Sequence, residues 1–250
     1  MPFDLTSLDA PFAALKAYDW GGDATAFKLI DDTVVAAHGD AALRADLEKR
    51  LTAILSAGTS RAAKEYACRK LMMIGTAASV QALAALLGDA DNSHMARFAL
   101  ERISGPEATQ ALRDALGRVQ GTLRIGMIES LVSRGDAASV PTIARLLSSD
   151  PPVAAAAATA LGHINTPEAL AALSAADPLA GSGVGRAVAD ARLASAEALL
   201  AAGKRAEAQN VYQSLADAVK GKPETKATKS VELAATRGLL ACLDTLSAAS

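Results

Sequence analysis

Three histidines, two cysteines and one glycine-rich run are the features of this 250-residue chain whose chemistry could reach beyond packing. His38, His94 and His163 stand far apart, and no two are four residues apart on one helix face, the spacing that lets two imidazoles share a metal. Cys68 and Cys242 show no Cys-x-x-Cys spacing. They read as two buried thiols on helices rather than a zinc site or a disulfide framework. The run GSGVG at 181–185 lacks both the G-x-G-x-x-G spacing of a dinucleotide loop and the Gly-Lys-Ser/Thr ending of a P-loop. It reads as a flexible turn. Lys220, Lys222, Lys226 and Lys229, interrupted by Glu224, read as a solvated loop. Trp20, the only tryptophan, follows Tyr18-Asp19 at a helix end and is expected to anchor a cap by packing. Nothing in the sequence assembles a nucleophile with a base. The expectation is a non-catalytic protein with no cofactor and no metal.

The elements that would position any site follow from composition. Hydrophobic residues make up 51% of the chain but aromatics only 3%, with alanine dominant, so the core must be close-packed from small and aliphatic side chains. Alanine is the best helix former, and β-branched and aromatic strand formers are scarce, which gives an all-α chain. A net charge of -2 leaves no electrostatic footprint for nucleic acid. The N-terminus MPFDLTSLD carries acids where a signal peptide needs a basic start and an apolar run. Charges and turn residues break every apolar segment short of a membrane span. The expected compartment is the cytoplasm, or an exported location if the chain is an excerpt of a longer one.

GTAASVQALAALL, read from Gly75, returns as GDAASVPTIARLL from Gly135. Between and beyond them, GPEATQALRDAL begins at Gly105 and NTPEALAAL at Asn165. Leu83, Leu112, Ile143 and Leu173 then fall at successive intervals of 29, 31 and 30 residues. A period of this size marks a solenoid, in which no repeat can bury its apolar face alone. Each unit reads as two helices. In the second, Val80, Leu83, Ala84 and Leu87 form one stripe at i, i+3, i+4 and i+7. The first helices read as 65–74, 93–103, 122–132 and 152–164. Glycines 75, 105 and 135 end first helices, Asp91-Asn92-Ser93 and Ser149-Asp150-Pro151 offer caps, and Pro106 and Pro167 open second helices, where a missing N–H is harmless.

This pattern, an apolar-Gly ending followed by PEA or ASV and then LxxLL, resembles the short bacterial HEAT-like repeats similar to those of phycobilisome lyases. The resemblance covers about residues 61–176 and implies a right-handed α-solenoid of stacked antiparallel helical hairpins. It also brings two enzymatic precedents: HEAT-like DNA glycosylases, which need a basic concave surface, and bilin lyases. HEAT-type di-iron hydroxylases use His-Glu pairs, whereas this chain has His38-Gly39, His94-Met95 and His163-Ile164.

Residues 1–60 are read as an N-terminal helical cap, 61–176 as the repeat array, and 186–250 as C-terminal helices resembling a tetratricopeptide-type hairpin. Ala196, Gly203, Ala208 and Tyr212 stand where that motif puts its small, turn, small and aromatic residues. DPLAGSGVG at 177–185 is read as the break between the two stacks. The expected function is a scaffold offering a concave helical surface to a protein partner, without nucleic acid or membrane. Gln81, Gln110, Arg113, Asp114 and Arg145, polar positions facing away from the apolar stripe of the second helices, are the expected partner-binding residues. Arg97 and Glu129 are placed on the opposite, outer surface.

Overall fold

The computed structural model describes residues 3–56, 58–181 and 183–243. Ser182, inside the expected break, and Asp244 to Leu246, the expected end of the last helix, lie outside the described residues. Among those described there are fourteen α-helices, a few short 3-10 turns and no strand. They form two compact units, Met1–Arg134 and Gly135–Ser250. Each is an all-α stack of helical hairpins of the HEAT-like solenoid kind.

The first unit holds α1 (Asp9–Ala17), α2 (Lys28–Ala36), α3 (Ala41–Ile54), α4 (Arg61–Ile74), α5 (Ala77–Ala85), α6 (Ser93–Arg102), α7 (Pro106–Leu116) and α8 (Gly121–Ser133). Helix α4 packs on α6 and α6 on α8, giving one layer of first helices. Helices α3, α5 and α7 stack likewise as a second layer. The second unit holds α9 (Val140–Arg145), α10 (Pro151–Ile164), α11 (Pro167–Ala175), α12 (Val184–Ala201), α13 (Arg205–Val219) and α14 (Lys226–Leu243). There α10 packs on α12, α9 on α11, and α13 on both α12 and α14.

The repeat periodicity marks the core. Leu83 and Leu112 in the first unit, and Ile143 and Leu173 in the second, are all 0% exposed. Helix starts follow their caps. Asp40, Ser60, Thr76 and Thr166 accept bonds from the backbone N–H of Leu43, Ala63, Ala78 and Ala169, satisfying donors the first turn leaves open. Asn92 and Asp150 precede α6 and α10 without a side-chain cap bond, and Ser93 instead donates its hydroxyl to Leu87 O at 2.9 Å.

Three expectations are corrected. Trp20 is 84% exposed and anchors nothing. Its neighbour Tyr18 takes that part, with its ring edge-on to Phe27 at 4.9 Å and its carbonyl accepting the Ser60 hydroxyl at 2.5 Å. The basic run is not all loop, because α14 begins at Lys226. Thr225 and Thr228 each accept the other's backbone N–H, at 2.8 and 3.2 Å, and this reciprocal cap starts the helix early. Arg97 does not lie on an outer surface. It is buried against α8, as described next.

Candidate functional site

The buried polar chemistry of the first unit ties one repeat to the next. Arg97 on α6 is 8% exposed and donates to Gly126 O at 2.7 Å and Ser130 Oγ at 2.9 Å, both on α8. Ser130 in turn donates to Glu101 Oε1 at 2.6 Å. Gly126 leaves room for Arg97, since a Cβ there would come within 2.7 Å of the guanidinium. Burial lowers the proton affinity of Arg97, while Glu101 and Glu129 oppose that shift. His94 belongs to the same cluster. Its ring lies 4.3 Å from Phe98 between centroids, and its Nδ1 is 3.4 Å from Arg97 Nη2.

In the second-helix layer, Glu48 on α3 is 5% exposed and accepts from Thr76 N–H at 2.6 Å, from the Thr76 hydroxyl at 3.0 Å and from the Ser79 hydroxyl. It thereby holds the start of α5. Arg134 closes the end of α6 by donating to the carbonyls of Leu100, Ile103 and Gly105 at 2.6 to 2.8 Å.

The surface left over on the second-helix layer of the first unit is shallow. A groove of about 520 Å3 runs between α3 and the start of α5, with Ala41, Ala45 and Ala78 lining it beside Arg44, Glu48, Lys49 and Thr52. A second groove of about 530 Å3 lies at the ends of α5 and α7, lined by Ala84, Ala85, Gly88 and Ala115 beside Arg118. Lys49 and Arg118 are exposed. Neither has a carboxylate partner among the described residues.

The residues expected from sequence to bind a partner divide between the units. Gln81, on α5, is exposed. On α7, Gln110 donates to Asp114 Oδ1 at 2.8 Å and accepts from Arg113 at 3.3 Å, so these three form one polar row. Arg145 belongs to the second unit, where it donates to Thr142 Oγ1 at 3.1 Å. The sequence reading did not single out Lys49 or Arg118, which line these grooves. Lys49 lies ahead of the recognised repeats, and Arg118 falls just past the last turn of its helix, so neither occupies a periodic position.

The other residues singled out for chemistry remain apart. His38 lines a groove with Val34, Met73 and Arg44 in the first unit, and His163 lines one with Thr159, Arg186 and Asp190 in the second. Cys68 and Cys242 are both free and buried. Burial, with Glu65 nearby, pushes the Cys68 thiol up to about 12, the opposite of what a nucleophilic thiolate needs. Among the described residues, no three His, Cys, Asp or Glu side chains group to hold a metal. No described helix is long and apolar enough to cross a membrane.

Comparison with known proteins bears on the architecture. No curated protein matches the chain. Among solved structures, the crystal structure of an engineered protein, a Northeast Structural Genomics Consortium target, is similar at 22% identity and a TM-score of 0.42, covering 79% of this chain and 96% of that one. Residues 120–199, from α8 into α12, match the HEAT repeats family, so the hairpins of that stretch are HEAT-like in sequence as well as in structure.

Proposed function

We propose that the protein is a non-catalytic scaffold that binds a protein partner along its second-helix layer. HEAT repeats generally mediate protein–protein interaction, and 120–199 matches them. In this reading residues 1–60 cap the array of 61–176, and 186–250 close it with a tetratricopeptide-like hairpin. The proposed binding residues are Gln81, Gln110, Arg113 and Asp114 in the first unit and Arg145 in the second. One observation carries the proposal furthest: the second-helix layer of the first unit has two grooves partly lined by alanines, each with an exposed cation that has no carboxylate partner among the described residues. Small side chains let a partner segment approach the helices closely, and Lys49 and Arg118 favour a segment with acidic side chains, which raises its association rate. A few such anchors would carry most of the binding energy.

The test uses a partner purified from the source cells. Lys49→Glu with Arg118→Glu should weaken its binding at least about tenfold, roughly 1.4 kcal/mol, with helicity unchanged. The control pair, Arg102→Glu with Glu129→Lys, reverses exposed charges on the first-helix layer. Loss of binding in the control pair alone removes the proposal.

A further inference from the structure

The second unit buries an arginine that no carboxylate answers among the described residues. Arg192 lies midway along α12, a helix packed on α10, α11, α13 and α14, and is 2% exposed. Among the described residues one bond holds it: Nη2 donates to Ser214 Oγ on α13. Its Nε is buried without an acceptor. One turn further along α12, the hydroxyl of Ser195, 0% exposed, is also without a partner. Burial lowers the proton affinity of this guanidinium. An arginine cannot escape by losing its proton, so the full charge stays buried. A buried charge is tolerated when it is paired or hydrogen-bonded, and this one has a single neutral contact for five N–H donors.

The position of that contact shows where an answer can come from. Ser214 is exposed on α13, so the far end of the guanidinium lies directly beneath a surface side chain. The Ser214 hydroxyl also donates to Val211 O at 2.8 Å, which holds it as a small polar cover. A group docking over Ser214 and turning that hydroxyl aside would meet the guanidinium and its unused donors. Only an anionic oxygen acceptor neutralises the charge, and a planar or tetrahedral oxyanion can take two N–H groups at once.

We propose that Arg192, roofed by Ser214, is the floor of an oxyanion seat on the α12–α13 hairpin, filled by one carboxylate of a protein partner. The seat itself does not depend on the scaffold reading. Only the source of the anion does, since inorganic phosphate offers the same chemistry.

The experiment follows the Arg192 Nε–H resonance and the thermal midpoint of the full chain. The probes are inorganic phosphate and a capped Gly-Glu-Gly tripeptide, each set against chloride at equal ionic strength. The resonance should shift saturably. At ten times its dissociation constant, the bound anion should raise the midpoint by about 2–5 °C. Arg192→Met should fold with the same helicity and lose the rise, while Ser214→Ala, which removes the cover, should keep it. A shift with the tripeptide assigns the seat to a partner's carboxylate, and a shift with phosphate alone assigns a free anion and overturns the partner assignment. An unmoved resonance with both probes, or an equal rise in Arg192→Met, overturns the seat altogether. If the Arg192 response persists while Lys49→Glu with Arg118→Glu leaves partner binding intact, the second-helix reading fails and the seat stands.

Discussion

Arg97 on α6 and Arg192 on α12 are each under a tenth exposed, yet their surroundings are built differently. In the first unit the guanidinium finds a backbone carbonyl, a hydroxyl and the Glu101 carboxylate at 3.9 Å, and a glycine makes room for it. Glu48 in the same unit is likewise surrounded by donors. In the second unit the guanidinium has only Ser214, and the helix beneath it is packed from alanines. Gly162 there meets Ala191, where a Cβ on the glycine would come within 2.8 Å of that alanine's own. Polar groups answered inside the protein fix the register of one repeat on the next. The first unit uses its buried charges to hold one repeat on the next, while in the second the Arg192 charge has no such partner among the described residues, which is the ground for the proposed seat.

The comparison requires that the apolar layers of the two units be equivalent, and this is where the largest effects are expected. Leu83→Ala and Leu173→Ala each remove a fully buried side chain at the same repeat position. Each should cost about 2–5 kcal/mol. Hydrogen exchange should show the loss first in the adjacent helices of the same unit, because solenoid contacts are between nearest neighbours. Uniform loosening of residues 3–243 after either substitution would contradict the division into units.

Arginine-to-methionine replacement then separates the two environments. Arg97→Met strips partners from Ser130 and Glu101 inside a packed interface and should cost about 2–4 kcal/mol in denaturant unfolding. Arg192→Met replaces an unanswered charge by an apolar side chain of similar length and should leave stability within about 1 kcal/mol or raise it. Equal losses in the two variants would mean that Arg192 is held by the fold as firmly as Arg97 is.

These contrasts show what the sequence made legible. Leu83, Leu112, Ile143 and Leu173 announced their burial because a solenoid core repeats, and Pro106 and Pro167 announced helix starts because proline fits little else there. Arg97 was misplaced because its burial depends on Gly126 and Ser130, about thirty residues ahead on another helix, and no periodic pattern encodes that pairing. Trp20 misled for a related reason: its size suggested packing, but the neighbouring Tyr18 had already filled the site beside Phe27. The second-helix layer was legible as a layer, whereas the grooves on it were not. Periodicity gives the direction of Gln81 and Gln110 from their helices, whereas Lys49 and Arg118 take their places from the way adjacent helices end.

A smaller effect is expected at Glu48, where Glu48→Gln keeps the shape of the side chain but turns an amide N–H2 toward donors at Thr76 and Ser79. One oxygen still accepts, so the cost should be about 1–2 kcal/mol. It should appear as faster exchange at the N–H groups of Thr76 and Ala78, where α5 begins. An unchanged first turn of α5 would mean that Thr76 caps that helix without help from α3.

The smallest effect concerns Asp31, the polar member of the aromatic cluster at the start of the first unit. Burial acts to raise its carboxyl, but the bonds donated by Lys70 at 2.7 Å and by the Tyr66 hydroxyl at 2.6 Å outweigh that, and the net direction is downward. A carboxyl with a lowered folded-state pKa stabilises the fold above its unfolded value of about 3.9. That contribution is lost as pH falls through the lowered value. Because the Asp31 side chain is 48% exposed, solvent screens the pair and the contribution stays small, like that of other surface ion pairs. Wild type should therefore lose slightly more stability than Asp31→Asn as pH falls from about 5 to 3. The difference should be read from Tyr66, whose ring lies 5.4 Å from Phe27 and reports on the cluster through its own fluorescence or ring resonances. The other carboxylates titrate in both proteins, so only the difference between the two curves isolates Asp31. If the difference has the opposite sign, burial outweighs the two hydrogen bonds and the answered charges of the first unit do not extend to its amino-terminal end.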